Sequence, residues 1–122
     1  MAYHPLNQAL RFLLELSALA ALCVWGWHPG DSLHHWLLML VVPALAAVIW
    51  GVFAVPGDPS RSGKAPVPVP GPIRLALELA IFASAISALF QVGAPQLGWA
   101  MSVLVLLHHA LSYDRILWLL KK

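Results

Sequence analysis

Two arginine–glutamate pairs stand where an apolar chain would be expected to exclude charge. Arg11-Phe12-Leu13-Leu14-Glu15-Leu16 opens one hydrophobic run, and Arg74-Leu75-Ala76-Leu77-Glu78-Leu79 opens another, 63 residues later. In each copy arginine and glutamate are one helical turn apart, so they share a face and can interact. A charged side chain at mid-membrane costs roughly 2.5–3.5 kcal/mol on insertion scales, so such residues must be paired, hydrated or in use. Pairing within each helix and crossed pairing, Arg11 with Glu78 and Arg74 with Glu15, satisfy the sequence equally well.

Other polar and aromatic residues converge on the same depth. A rise of ~1.5 Å per residue places Glu15, Glu78, His108 and Trp50 roughly 8–12 Å from the inner ends of their helices. Tyr113 follows His108 and His109 toward the inner face. The candidate ligand-binding set is therefore Arg11, Glu15, Trp50, Arg74, Glu78, His108, His109 and Tyr113. In one reading this layer is a hydrated pocket open to the cytoplasm: Arg11 and Arg74 hold an anion, or Glu15 and Glu78 bind a cation or proton. Histidine changes charge near neutral pH and suits proton transfer. Adjacent helical histidines point about 100° apart, so at most one of His108 and His109 faces the site. In the alternative reading the ions only lock the helices together and support oligomerisation.

No catalytic residue, metal site or cofactor is assigned. Glutamate and histidine could do acid–base work, but no nucleophile motif accompanies them. His28, Asp31, His34 and His35 cluster near the opposite surface without a specific metal-ligand spacing. Cys23 is the single cysteine, which excludes an intramolecular disulfide.

The elements that must position these residues are membrane helices. The 122 residues are 61% hydrophobic and 10% charged, with a mean hydropathy of +0.80. Several apolar stretches approach the ~20 residues that cross ~30 Å of hydrocarbon. The expected fold is all-α: a single four-helix polytopic membrane domain over residues 1–122, made of two helical hairpins. Helices are predicted over Leu6 to Trp27, Leu33 to Val55, Pro72 to Val92 and Leu97 to Leu117. Pro43 is expected to kink the second, because it removes a backbone donor. Ala80, Ser84 and Ala88 on the third helix, with Ser17 and Ala21 on the first, form small-residue stripes that permit close approach. Helices one and three are accordingly placed at the centre.

The hairpins read as a parallel repeat, 6–56 and 72–120, joined by a linker over 57–71. At the same offset Trp36 matches Trp99, and Trp50 falls opposite Tyr113. Each half contains two spans and so keeps one orientation, unlike the inverted repeats of many transporters. The linker is proline-punctuated, Ala65-Pro66-Val67-Pro68-Val69-Pro70-Gly71-Pro72, which favours a stiff extended spacer. Arg11, Arg61, Lys64, Arg74, Arg115, Lys121 and Lys122 all fall on one side of a four-span topology, predicting both termini in the cytoplasm. These basic residues form a membrane rim rather than a dense patch, which argues against nucleic acid as a partner. The partners the sequence admits are the lipid bilayer, a second copy or another membrane protein, and a small ion or polar ligand.

Asn7-x-x-x-Arg11-Phe12-x-Leu14-Glu15-Leu16, Trp50-Gly51-x-Phe53-x-x-Pro56 and Arg74-x-x-x-Glu78-x-x-x-Phe82 together resemble the YrdB-like family of small bacterial four-helix membrane proteins. The resemblance covers most of the chain. It implies four spans and a bacterial inner-membrane location, and it brings no assigned activity and no mechanism.

Overall fold

A computed structural model describes residues 4–27, 32–58 and 65–122. In chain order the elements are α1 (Pro5–Trp27), α2 (Ser32–Val52), β1 (Phe53–Ala54), β2 (Val67–Pro68), α3 (Gly71–Gln91), α4 (Pro95–Leu111) and α5 (Tyr113–Leu120). The fold is all-helical but for the two-residue β1–β2 ladder. Among the described residues two helices, α1 over Pro5–Gly26 and α3, are each long and apolar enough to cross a membrane. The apolar helix Trp36–Val52 within α2 is shorter, and α2 runs continuously through Pro43. The expected outer grouping of His28 and Asp31, the side chains of His34 and His35, and the linker residues Arg61 and Lys64 lie outside the described residues.

The expected fourth helix over Leu97 to Leu117 is corrected to two helices. α4 has 17 residues, at the short end of what crosses a membrane, and α5 follows it across a 70° bend. At the break the Ser112 N–H donates to the carbonyls of both His108 and His109, at 2.9 and 3.2 Å. Two side chains of α5 are held inward beyond that point, Arg115 at 5% and Leu119 at 0% exposure. A straight continuation of α4 would give up those contacts.

Glycine sits at both tight turns with positive φ. Gly93 has φ +82°, which the Gly93-Ala94-Pro95 turn between α3 and α4 needs and glycine adopts without strain. Pro56-Gly57, with Gly57 at φ +78°, makes the Pro-Gly turn in which the Asp58 N–H donates to the Val55 carbonyl at 3.2 Å. The proline-rich segment does more than span a distance. Its extended backbone lies parallel to the end of the first half, pairing Phe53 with Val67 and Ala54 with Pro68. The Val69 N–H then donates to the Ala54 carbonyl at 2.9 Å.

α1 and α3 sit at the centre. α1 packs on α2, α3 and α4, and α3 on α1, α4 and α5. Their shared core contains Leu14, Ala18, Ala21 and Leu22 against Ile81, Phe82, Ala85 and Ala88. Alanine at these positions lets two backbones approach closely where lipid supplies no hydrophobic drive to associate. The packing stripe is offset from the expected one: Ala21 and Ala88 are buried, but Ser17, Ala80 and Ser84 face outward. The hydroxyls explain the offset. Ser17 donates to the Leu13 carbonyl at 2.7 Å and Ser84 to the Ala80 carbonyl at 2.8 Å, so neither needs a partner helix.

Two glycines mark where backbones meet without room for a side chain. A Cβ at Gly71 would collide with the Leu119 carbonyl of α5, and one at Gly26 would overlap the Leu38 and Met39 backbone of α2. A Cβ at Gly51 meets nothing within 4 Å. Gly26→Ala and Gly71→Ala are expected to cost about 1–3 kcal/mol each through overpacking against unyielding backbone. Thermal unfolding in detergent should show both melting below the parent and Gly51→Ala melting no lower. Equal behaviour of all three would contradict the close approaches.

Candidate functional site

The charged residues of α1 and α3 do converge, and the centre of the arrangement is Glu78. Its Oε1 accepts from Arg74 Nε at 2.9 Å and from Arg115 Nη2 at 2.8 Å. Its Oε2 accepts from Arg115 Nη1 at 3.0 Å, so Arg115 grips the carboxylate with two parallel bonds. Arg11 Nη2 lies 3.7 Å from Oε1. One carboxylate thus meets guanidiniums from three helices. Fork-to-fork arginine–carboxylate bonds are among the strongest that side chains form.

Each arginine also reaches a second group. Arg115 Nη2 donates to Asp58 Oδ2 at 2.7 Å, tying α5 to the turn after β1. Arg11 Nε donates to Glu15 Oε1 at 3.0 Å within α1. Arg74 Nη1 donates at 2.7 Å to both the Trp50 and Phe53 carbonyls. These carbonyls lie at the end of α2, where intrahelical donors run out, and a cation there also complements the helix dipole. Among the described residues Arg11, Arg74 and Arg115 face Glu15, Asp58 and Glu78, three charges of each sign.

The two copies of the motif are used unequally. Side-chain exposure is 0% for Arg74 and 5% for Glu78, against 11% for Arg11 and 22% for Glu15. Both intrahelical pairs form, and Arg11 to Glu78 adds a crossed one.

A neutral network of buried side chains joins α1 to the α4–α5 junction. Asn7 Nδ2 donates to Ser112 Oγ at 2.8 Å, and Asn7 Oδ1 lies 2.9 Å from His108 Nδ1. A carbonyl oxygen only accepts, so His108 carries its proton on Nδ1. His109 Nδ1 likewise donates to the Val105 carbonyl of its own helix at 2.8 Å, and its ring packs edge-on to Phe82.

Among the expected site residues, Arg11, Glu15, Arg74 and Glu78 meet directly. Trp50 joins through its carbonyl, while its ring packs at 63° on Phe82. His108 belongs to the Asn7 network, and His109 turns along α4. Tyr113 is 62% exposed on α5. Sequence reasoning missed Arg115, Asp58, Asn7 and Ser112 as members. Arg115 and Asp58 looked like rim and linker charges, and only the bend of α5 and the Pro56-Gly57 turn bring them inward. Apolar cavities of about 410 and 290 Å³ are lined by hydrocarbon and small residues such as Leu14, Ala21 and Met101 or Leu22, Ala46 and Ile81, not by this cluster.

Removing one partner from a buried ion pair strands the others, at roughly 3–5 kcal/mol. Glu78→Gln strands three guanidiniums and should cost on that order, whereas Glu15→Gln, at a half-solvated position, should cost far less. Detergent melting curves of the two variants test the ranking; equal losses would contradict a network centred on Glu78.

The family model described as "Protein of unknown function (DUF2568)" matches residues 9–106, a span that includes Arg11, Glu15, Trp50, Asp58, Arg74 and Glu78. The chain is 41% identical over 116 residues to the "Uncharacterized protein YrdB" of Bacillus subtilis (strain 168), covering 95% of this chain and 94% of that protein. No solved structure matches it. The match along nearly the whole length bears out the resemblance carried by the two arginine–glutamate motifs, and the chain belongs to the YrdB-like DUF2568 family.

Proposed function

We propose that this is a small integral membrane protein with a structural or accessory role, in which the Arg/Glu/Asp cluster is an internal lock. The observation that carries this reading is the threefold engagement of Glu78 by Arg74 and Arg115, with Arg11 at 3.7 Å and Arg115 continuing to Asp58. Three of the carboxylate's acceptor sites are taken by arginine donors, which leaves it neutralised within the protein. Four spans in a parallel repeat, both termini in the cytoplasm, and a bacterial inner-membrane location accompany this reading. The spans rest on the apolar runs, the repeat on the 63-residue offset of the two motifs, the orientation on the one-sided placement of Lys and Arg, and the location on the family resemblance. A homodimer or a larger membrane assembly is the partner class that suits a lock without an enzymatic centre.

One observation favours a second reading, a site for a small ion or polar ligand. Arg74 Nη2 is buried and has no hydrogen-bond acceptor among the described residues, and a buried unmatched donor is costly. A water or a small anion at that atom would satisfy it.

The two readings separate in one experiment. Purified protein and its Glu78→Gln and Arg74→Lys variants are melted in detergent across titrations of sodium, potassium, chloride and phosphate at fixed ionic strength. The lock predicts lower melting temperatures in both variants and no ion-specific shift in the parent. An ion that raises the parent's melting temperature in a saturable way, and does so no longer in Arg74→Lys, would replace the lock with the ligand site.

A further inference from the structure

α5 carries a second face that the lock does not use. Arg115 and Leu119 point to the bundle, and the opposite stripe of the same helix, at positions one helical turn apart, presents Tyr113, Leu117 and Leu120 at 62%, 53% and 53% exposure. The 70° bend at Ser112 turns this stripe away from the course of α4. Lys121 and Lys122 follow directly, both exposed, with Lys122 Nζ 5.2 Å from the centroid of the Trp118 ring. Arg115 is fully engaged by Glu78 and Asp58, so these lysines supply the outward positive charge at the end of the helix. A short helix with an outward apolar stripe, a tryptophan and terminal lysines has the composition of an interfacial segment. Such lysines are complementary to anionic lipid headgroups.

We propose that α5 lies in the headgroup layer of the bilayer and binds anionic phospholipid, with Tyr113, Leu117 and Leu120 reaching the acyl boundary and Lys121 and Lys122 meeting the phosphates. The proposal rests on the membrane reading above and takes from the cluster only the anchoring of α5 by Arg115. Because Arg115 and Leu119 anchor the inner face of α5, the helix is held at fixed orientation and the lipid-binding stripe is preformed. Lipid bound there would cover apolar surface that the bend otherwise leaves open to water.

Depth measurements on the full chain test this. Cysteine is introduced singly at Leu106, Leu117 or Leu120 on a Cys23→Ala background, spin-labelled, and reconstituted in nanodiscs of phosphatidylcholine with or without phosphatidylglycerol. Leu106, 71% exposed on α4, is the control for the membrane reading itself. Labels at Leu117 and Leu120 are expected to be shielded from a water-soluble nickel chelate and accessible to oxygen, at a shallower depth than Leu106. Phosphatidylglycerol enrichment around the purified protein should fall roughly fivefold per lysine in Lys121→Gln and Lys122→Gln, the fold-change of ~1 kcal/mol for a surface lysine. Nickel-accessible labels on α5 with a lipid-buried Leu106 overturn the proposal, as does unchanged lipid enrichment in the lysine variants. Dipolar broadening between Leu117 labels would assign the stripe to a second copy and also overturn it. A nickel-accessible Leu106 would instead sink the membrane reading.

Discussion

Glu78 is a single carboxylate surrounded by arginines from α1, α3 and α5, and most of the tertiary arrangement at that end of the bundle answers to it. A buried carboxylate is expensive unless its oxygens are met by donors, and buried guanidiniums are expensive unless met by acceptors. Once Glu78 is placed inside, each arginine needs further acceptors. Arg115 finds Asp58, Arg11 finds Glu15, and Arg74 finds the last carbonyls of α2. The ladder of consequences reaches α1, α2, β1, α3 and α5, while β2 pairs with β1 and α4 is tied in by the Asn7–His108–Ser112 network.

The same accounting of donors and acceptors explains features that would otherwise look unrelated. α2 ends where Arg74 caps it, so the cation of one motif terminates the helix of the preceding half. The proline-rich segment can lie beside Phe53–Ala54 because its backbone is already extended, and the ladder stays short because proline offers no amide donor. Serines on α1 and α3 bond their own helices and are therefore free to face outward. In a chain this apolar, polar groups organise the structure and alanine-rich surfaces fill the space between them.

Burial separates the two halves that the sequence makes look equal. The first motif is partly solvated and the second is closed, with α5 packed against α3. That asymmetry turns two similar pairs into one network with a single hub. It also moves Tyr113 from the inside of the layer to the exterior, since the bend that directs Arg115 inward directs the opposite face of α5 outward.

Composition and spacing were enough to determine that the chain is all-helical and membrane-like, that α1 and α3 are central, and that Arg11, Glu15, Arg74 and Glu78 share a layer. Those properties follow from helical periodicity and the cost of burying charge, both local to the chain. Glycine and proline likewise announced the turn at Gly93, whereas the turn at Gly57 fell within what read as a linker. Tertiary structure decided which carboxylate is the hub, that Arg115 and Asp58 complete the cluster, and that the last helix breaks at Ser112. Those choices depend on which donors and acceptors meet across residues far apart in sequence, and no local pattern encodes such a meeting.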